Sequence, residues 1–378
     1  MTTAPRWFAV SAMVVVCSLG ACSSGSGTGN RRSTSNSSVA TTTAHAASAP
    51  AAASSAVGWT TYDHDAARSG FAPDGPASPA TAHQLWTSSL LDGDVYAQPL
   101  VLGDRVVVAT ENDTVYLLDA TNGTVVWSAH LGEPVPASSL PCGNVDPVGI
   151  TSTPVVDTAA GRVYAVGLVE PGRHVLFDLD LSTGRLVAST PVDAPGASAA
   201  VHNQRGALAL SNGTVYIPYG GRLGDCGDYH GRVVAVVVSA SRLGTVASYT
   251  LPTQREGGFW APSGVTIASD GSLYLTSGNS SSTGVYDYGN SVVHLSGGLQ
   301  LVDSFAPSDW VTLNAGDVDL GSVGPALLPN GRVFQVGKNG TGYLLDANHL
   351  GGVGGQLHSA SVCSTYAFGA VAHRAKTL

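Results

Sequence analysis

The chain has 378 residues, of which 43% are apolar and 11% are charged, and it contains 47 glycines. This length and apolar content can fill a substantial core, and with so few charges Ser, Thr, Asn and Gly must cover most of the surface, as in turn-rich β proteins. The formal net charge is −9. No basic run is present, which excludes nucleic acid as an expected partner.

The N-terminus has the pattern of an export signal. Arg6 precedes an apolar stretch over residues 7–16, which is shorter than the roughly 20 residues that a membrane-spanning helix needs. The following "LGAC", which ends at Cys22, resembles the lipobox of bacterial lipoproteins, whose cysteine is lipidated and becomes the mature N-terminus. We therefore expect a signal peptide over 1–21 and a lipid on Cys22. The alternative is an ordinary signal peptide cleaved near Ala21.

The segment that follows Cys22 is predicted to be a disordered tether. Residues 23–57 consist mainly of Ser, Thr, Ala and Gly and include no aromatic residue, so they cannot bury enough apolar area to order themselves. Together, residues 22–57 predict a lipidated Cys and a tether. The sequence thus predicts an extracytoplasmic lipoprotein at the bacterial cell surface or in the periplasm, which contacts the membrane through its lipid alone.

Three cysteines lie beyond the expected signal peptide and lipidation site: Cys142, Cys226 and Cys363. An odd number in an oxidising compartment allows one disulfide and one unpaired thiol, or no disulfide. Cys142 and Cys226 both lie in Gly-rich loops, and they are the pair that we expect.

A strand–turn–strand phrase recurs five times after the tether. The copies are "GDRVVVAT", "AGRVYAVG", "NGTVYIPY", "DGSLYLTS" and "NGRVFQVG". Their aligned positions are Val107, Tyr164, Tyr216, Tyr274 and Phe334. A spacing of roughly 55 residues between strand phrases indicates propeller blades. A short apolar strand precedes each copy, a third strand follows, and a fourth follows in most copies, so each unit predicts a four-stranded blade.

The two ends of the repeat region predict incomplete closing strands. Residues 83–90, "HQLWTSSL", are predicted to form a lone outer strand, and residues 369–378, "GAVAHRAKTL", align with the first strand of a sixth blade. We therefore expect an all-β propeller over 58–378 with about five full blades. An open ring has an unpaired edge, which favours a C-terminally truncated gene product. The alternative is a six-bladed ring whose last blade is incomplete.

One turn phrase carries a family resemblance. "LLDATNGTVVW" resembles the tryptophan-docking repeat of pyrroloquinoline-quinone (PQQ)-like propellers, with Asp119, Gly123 and Trp127 in register. "LDLSTGRLVA" repeats the phrase with Ala188 in place of the Trp. The resemblance covers about residues 59–378 and implies the fold of quinoprotein alcohol dehydrogenases. The same repeat also builds non-catalytic propellers such as outer-membrane assembly-factor lipoproteins.

The resemblance to quinoprotein alcohol dehydrogenases also implies a candidate cofactor site. In that family a Trp stacks beneath the quinone, a Lys contacts it, a Glu and an Asn hold Ca²⁺, and an Asp is the base. The matching residues here are Trp260, Lys338, Glu170, Asn279 and Asp317, in that order. Ca²⁺ takes oxygen ligands and polarises the quinone carbonyl, while the carboxylate removes the alcohol proton. The implied cofactors of an enzyme would be PQQ and Ca²⁺.

The sequence departs from that family at two places. The family has an adjacent Cys-Cys pair over the quinone, whereas this chain has the single Cys142, and Gly316 replaces the Trp before the catalytic Asp. Trp260 also suits packing between blades, and the polar matches suit turn capping and bonds to loop amides. Our first expectation is therefore a binding or scaffold module for a protein or a cell-envelope polymer. The alternative is a PQQ-dependent alcohol or sugar dehydrogenase, or its degraded relative.

Two polar loops offer further ligand groups. "GDCGDYHG" contains Asp225, Asp228 and His230, whose spacing matches no zinc motif, so a metal site and a disulfide-stapled loop both remain open. "NQRG" places Gln204 and Arg205 before a strand, where we expect them to face the channel and to suit an anion.

Overall fold

Five mainly antiparallel sheets form the framework of the chain that the structure describes, three with four strands and two with five. The structure is a computed structural model, and it describes residues 58–73, 83–240 and 242–374. The predicted signal peptide, the lipidation site Cys22 and the tether lie outside the described residues. Among the described helices, none is both long enough and apolar enough to cross a membrane.

Each sheet is one blade, and its strands are ordered along the chain. Blade 1 comprises β1 (Leu100–Leu102), β2 (Arg105–Ala109), β3 (Thr114–Asp119) and β4 (Val125–His130). Blade 2 comprises β5 (Val155–Asp157), β6 (Arg162–Val169), β7 (Arg173–Asp180) and β8 (Leu186–Pro191). Blade 3 comprises β9 (His202–Asn203), β10 (Ala209–Ser211), β11 (Thr214–Gly221), β12 (Arg232–Ser239) and β13 (Arg242–Thr250), with β9 paired to β11.

Blades 4 and 5 follow the same plan with small additions. Blade 4 comprises β14 (Thr266–Ile267), β15 (Leu273–Thr276), β16 (Val292–Leu295) and β17 (Leu301–Ala306). Blade 5 comprises β18 (Ala326–Leu328), β19 (Arg332–Gln335), β20 (Thr341–Asp346) and β22 (His358–Ser361), while β21 (Gly352–Val353) pairs in parallel with β17. Within the described residues, the helical elements are α1 (Trp310–Ala315) and two 3₁₀ turns (Ala137–Ser139 and Leu320–Ser322). The predicted all-β fold with five full blades is confirmed.

In the first four phrases the aligned residue packs against the next blade, while Phe334 of the fifth phrase packs with Ala367 and Val371 of the C-terminal segment. Val107 belongs to the core between blades 1 and 2, and Tyr164 to the core between blades 2 and 3. Tyr216 belongs to the core between blades 3 and 4, and Tyr274 to the core between blades 4 and 5. Each of these two hydroxyls donates to a backbone carbonyl in a turn of the following blade. A period near 55 residues therefore arises because every blade must present one large side chain to its successor.

Tryptophan docking joins the outer strand of one blade to a turn of the next. Trp127 Nε1 donates to the Leu181 carbonyl at 3.0 Å, and its ring lies over Gly184. Gly184 has φ +71° and a Cβ there would collide with the ring, so this turn requires glycine. Trp86 repeats the arrangement on blade 1, where it donates to the Ala120 carbonyl at 2.7 Å.

The predicted closing strands differ from the structure in detail. Residues 83–90 form no regular strand, although Trp86 docks as an outer-strand Trp does. At the other end, Gly369 forms a parallel bridge with Val323, and the His373 amide donates to the Ser69 carbonyl. The prediction of a lone outer strand over 83–90 was wrong, because a strand needs a neighbour that completes its hydrogen-bond ladder and no described strand pairs with these residues.

The segment 59–70 crosses the first strands of four blades. Its backbone pairs with Val101 of blade 1, Val156 of blade 2 and Ile267 of blade 4. Arg68 is 1% exposed and donates to the carbonyls of Leu208 and Val265, at 3.0 and 3.1 Å, on the approach to the first strands of blades 3 and 4. The N-terminal segment therefore ties the blades together.

Candidate functional site

A cavity of about 560 Å³ lies where loops from all five blades meet. The loops between the second and third strands and those that enter the first strands share one end of the blades, because neighbouring strands are antiparallel. The charged residues of its lining are Arg205, Arg222, Asp225, Asp317, Asp319 and Lys338. The aromatic residues of its lining are Tyr96, Tyr229, Trp260 and Phe368.

Trp260 contacts cationic and aromatic groups inside the cavity. The guanidinium carbon of Arg205 lies 4.5 Å from the centroid of its ring, and Lys338 Nζ lies 5.8 Å from it. The ring of Phe368 is 6.3 Å away and tilted by 44°. A Cβ on Gly278 would lie 2.7 Å from Trp260 Nε1, so glycine at this position allows the indole to sit here.

Lys338 and Asp319 form the buried ion pair of the cavity. Lys338 Nζ lies 2.5 Å from Asp319 Oδ2, and the amide of Asn279 donates to Asp319 Oδ1 at 2.7 Å. The Asp319 side chain is 4% exposed and that of Lys338 is 17% exposed. Burial lowers the pKa of Lys338, but the hydrogen bond and charge of Asp319 outweigh burial and raise it. Burial likewise raises the pKa of Asp319 against the opposing effect of Lys338.

Four of the five predicted cofactor-site residues meet in this cavity. Trp260, Asn279, Asp317 and Lys338 all line it. Asp317 is 70% exposed and its Oδ1 lies 3.3 Å from Lys338 Nζ, so it lies at the rim. Asp319, two residues later, is the carboxylate inside the site. The second acid of "DVD" was the signal for it, whereas the prediction placed the base on the first acid.

Glu170 is not brought to this cavity. It is exposed at the turn after β6, and its amide donates to the Glu133 carbonyl. Besides Asp319, the carboxylate near Asn279 is Glu256, whose Oε2 accepts from Asn279 Nδ2 at 3.5 Å while Oε1 pairs with Arg255.

The residues present do not fit a Ca²⁺ ion. Ca²⁺ takes 6–8 oxygen ligands, with carboxylates among them. Here the acids next to Asn279 are already paired with Lys338 or with Arg255. Among the described residues, no group of three or more His, Cys, Asp or Glu could hold a metal ion. We therefore derive no reaction step through a Ca²⁺–quinone complex.

A disulfide shapes one rim of the cavity. The structure joins Cys142 to Cys226, which links the loop after blade 1 to the β11–β12 loop of blade 3. Next to it, Tyr229 donates to Asp225 Oδ1 at 2.6 Å. His230 contacts Thr253 Oγ1 at 3.1 Å, so Asp225 and His230 have different partners. His230 Nε2 also lies 3.6 Å from Asp228 Oδ1, while Asp225 is held by Tyr229, so the three side chains do not form one ligand set.

Sequence reasoning singled out Arg205 and missed Arg222. Arg222 is 3% exposed and donates to the carbonyls of Ala199 and Ala200, at 2.9 and 2.7 Å. The sequence feature that could have indicated Arg222 is the Gly220-Gly221 pair directly before it, at the end of β11. Small residues there leave room for a long side chain to turn into the cavity.

Comparison with known proteins places this propeller in a family. The family model described as outer membrane protein assembly factor BamB matches residues 77–291, more than half of the chain. The chain belongs to this family. The outer membrane protein assembly factor BamB of Burkholderia pseudomallei strain K96243 is 37% identical over 117 residues, which cover 28% of this chain and 30% of that protein.

Solved structures of similar fold include two quinohaemoproteins. Quinohemoprotein alcohol dehydrogenase ADHIIG of Pseudomonas putida HK5 has a TM-score of 0.64 at 18% identity and covers 81% of this chain and 48% of its own. The quinohemoprotein alcohol dehydrogenase of Comamonas testosteroni has a TM-score of 0.61 at 16% identity and covers 84% of this chain and 52% of its own. The chain thus spans about half of these proteins and less of the curated relative. At these identities the likeness concerns the fold alone.

Proposed function

We propose that this chain is a lipid-anchored, extracytoplasmic propeller that acts as a binding or scaffold module for an envelope protein or a cell-envelope polymer. The observation that carries the proposal is the state of Asp319 in the cavity. Both of its oxygens are engaged, one by Lys338 and the other by the Asn279 amide. A general base needs a carboxylate within hydrogen-bond reach of a substrate proton, so this arrangement suits binding better than proton transfer.

The proposed location has two supports besides the lipobox resemblance. The related Burkholderia protein is named as an outer membrane protein assembly factor. The Cys142–Cys226 disulfide is also typical of an oxidising compartment. The test is Cys22→Ser, which should abolish palmitate labelling and move the protein out of the membrane fraction. Cys17→Ser is the matched control and should leave both unchanged. Normal labelling of the Cys22→Ser variant would refute lipidation at this residue.

Binding at the cavity is tested by crosslinking in cells. A photoreactive amino acid replaces Leu223, which lines the cavity and is 58% exposed. The control position is Leu186, which is 44% exposed on the outer strand of blade 2. We expect a discrete adduct from position 223 and none from 186. Equal adducts from both positions, or none from 223, would contradict a partner at this cavity.

A second candidate, a quinoprotein dehydrogenase, is favoured by one observation. Trp260, Asn279, Asp317 and Lys338, four of the five residues that the family resemblance implies, line one cavity. The test is titration of the purified protein with PQQ and Ca²⁺, followed by alcohol-dependent dye reduction. Saturable quinone binding with dye reduction that is lost in Lys338→Ala would establish this candidate over the first. Absence of binding at micromolar quinone would eliminate it.

A further inference from the structure

Two arginines from blade 3 bring positive charge to the cavity without a partner carboxylate. Arg222 uses two of its nitrogens on backbone carbonyls and forms no ion pair among the described residues. Arg205 lies over the Trp260 ring, and in the described part of the chain its Nε is buried with no acceptor. Buried guanidinium donors without acceptors are rare in folded proteins, and they point to a group that the protein itself does not supply.

The acids near these arginines do not neutralise them. Asp319 is taken by Lys338, while Asp225 and Asp317 are exposed at the rim, where water and salt screen their charge. The charge of Glu111 raises the pKa of Arg222, although the two side chains form no ion pair in the described structure. Burial raises the pKa of Glu111 to about 7, so it is only partly ionised at neutral pH.

The arginines keep their charge despite burial. Burial lowers the pKa of Arg222 to about 10, with Glu111 opposing this effect, and burial also lowers the pKa of Arg205. Both groups are therefore cationic at neutral pH. An arginine fork matches the planar oxygens of a carboxylate.

The remaining walls of the cavity suit an apolar body rather than a bare ion. Val145, Val148, Leu223 and Phe368 line it beside Trp260. A small hydrated ion such as phosphate would leave these walls uncovered, whereas an aromatic or aliphatic body would bury against them.

We propose that the cavity is a metal-independent site for an organic carboxylate with an apolar body, whose carboxylate pairs with Arg205 and Arg222. This inference rests on the proposed function in that it names the ligand chemistry of the same cavity. Arg205 is the discriminating residue, because it makes no hydrogen bond within the described structure that its removal would break.

The experiment is calorimetric titration of the purified protein with benzoate, terephthalate and the neutral benzamide, in low salt with EDTA. We expect both carboxylates to bind, terephthalate more tightly, and benzamide to show no saturable heat. Affinity should fall as salt is added, because the contact is ionic. Equal binding of benzamide, a requirement for Ca²⁺, or equal binding of inorganic phosphate would overturn the assignment.

Three variants complete the test. Arg205→Met should weaken terephthalate binding at least tenfold and should leave the Tm of the ligand-free protein unchanged or higher, since it removes an uncompensated charge. Arg222→Met should also weaken binding, and if it fails to fold, Arg205→Met decides. Arg173→Met, at an exposed position of β7, is the matched control. Unchanged binding in Arg205→Met would refute the site. Crosslinking at position 223 without carboxylate binding would refute this inference and leave the proposed function standing. Carboxylate binding without crosslinking at position 223 would refute the proposed envelope partner and leave this inference standing.

Discussion

Replacement of Arg68 by Met tests whether the N-terminal segment holds the blades together. The guanidinium donates to Thr61 Oγ1 at 2.6 Å, to the Tyr62 carbonyl at 2.7 Å and to the carbonyls of Leu208 and Val265. Met keeps the apolar stem but removes every donor. The Leu208 carbonyl keeps a second donor, Thr61 Oγ1 at 3.3 Å, so the carbonyls left without a donor are the buried one of Val265 and the part-buried one of Tyr62.

The expected cost follows from the groups that lose a partner. One buried carbonyl without a donor costs about 1–3 kcal/mol. Burial raises the pKa of Asp63 to about 6, and the charge of Arg68 opposes this rise. Loss of that charge therefore also destabilises the ionised carboxylate of Asp63. We expect a net loss of about 2–4 kcal/mol, which corresponds to a Tm lower by roughly 3–8 °C for a domain of this size.

Calorimetry and hydrogen exchange together measure this effect. The amides of Val101, Val156 and Ile267 bond to carbonyls of the N-terminal segment, so they should lose protection first in Arg68→Met, while amides of β7 in blade 2 should not. Arg68→Lys should recover less than half of the loss, because an ammonium cannot reproduce the fork. A Tm within 1 °C of the Arg173→Met control would refute the reasoning.

Three further variants test other parts of the fold. Trp127→Ala removes the bond to Leu181 and the ring over the next blade's turn, so the unfolding free energy measured by denaturant should fall by about 2–3 kcal/mol; exposed Val126→Ala should change it by less than about 0.5 kcal/mol. Burial raises the pKa of Asp113 to about 8, so ionisation in the unfolded state should lower the Tm of the native protein as pH rises from about 4 to 8; Asp113→Asn should flatten this slope, and an unchanged slope would contradict it. Paired replacement of Cys142 and Cys226 by Ser opens a loop with a sequence separation of 84 and should cost at most about 4–5 kcal/mol, seen as a lower Tm that reductant does not change further.

The blades could be predicted from the sequence because their determinants are local and repeated. Tyr164, Tyr216 and Tyr274 recur at the same place in each blade and always face the next blade. Arg68 carries no such signal, since its partner Val265 lies 197 residues away. Likewise, Glu170 fitted a family position by order along the chain, but the path of the β6–β7 turn takes it away from the cavity.

The charged groups of the cavity differ in whether they are free to meet a ligand. Arg205 and Arg222 stabilise negative charge, so they favour retention of an anion. Asp319 itself is held by Lys338. Burial raises the pKa of Asp319, but proton uptake would leave the mostly buried ammonium of Lys338 with only the exposed Asp317 as its counter-charge. The arginines therefore suit retention of an anion, while both oxygens of Asp319 are already engaged by Lys338 and by the Asn279 amide, which favours the binding role over the dehydrogenase.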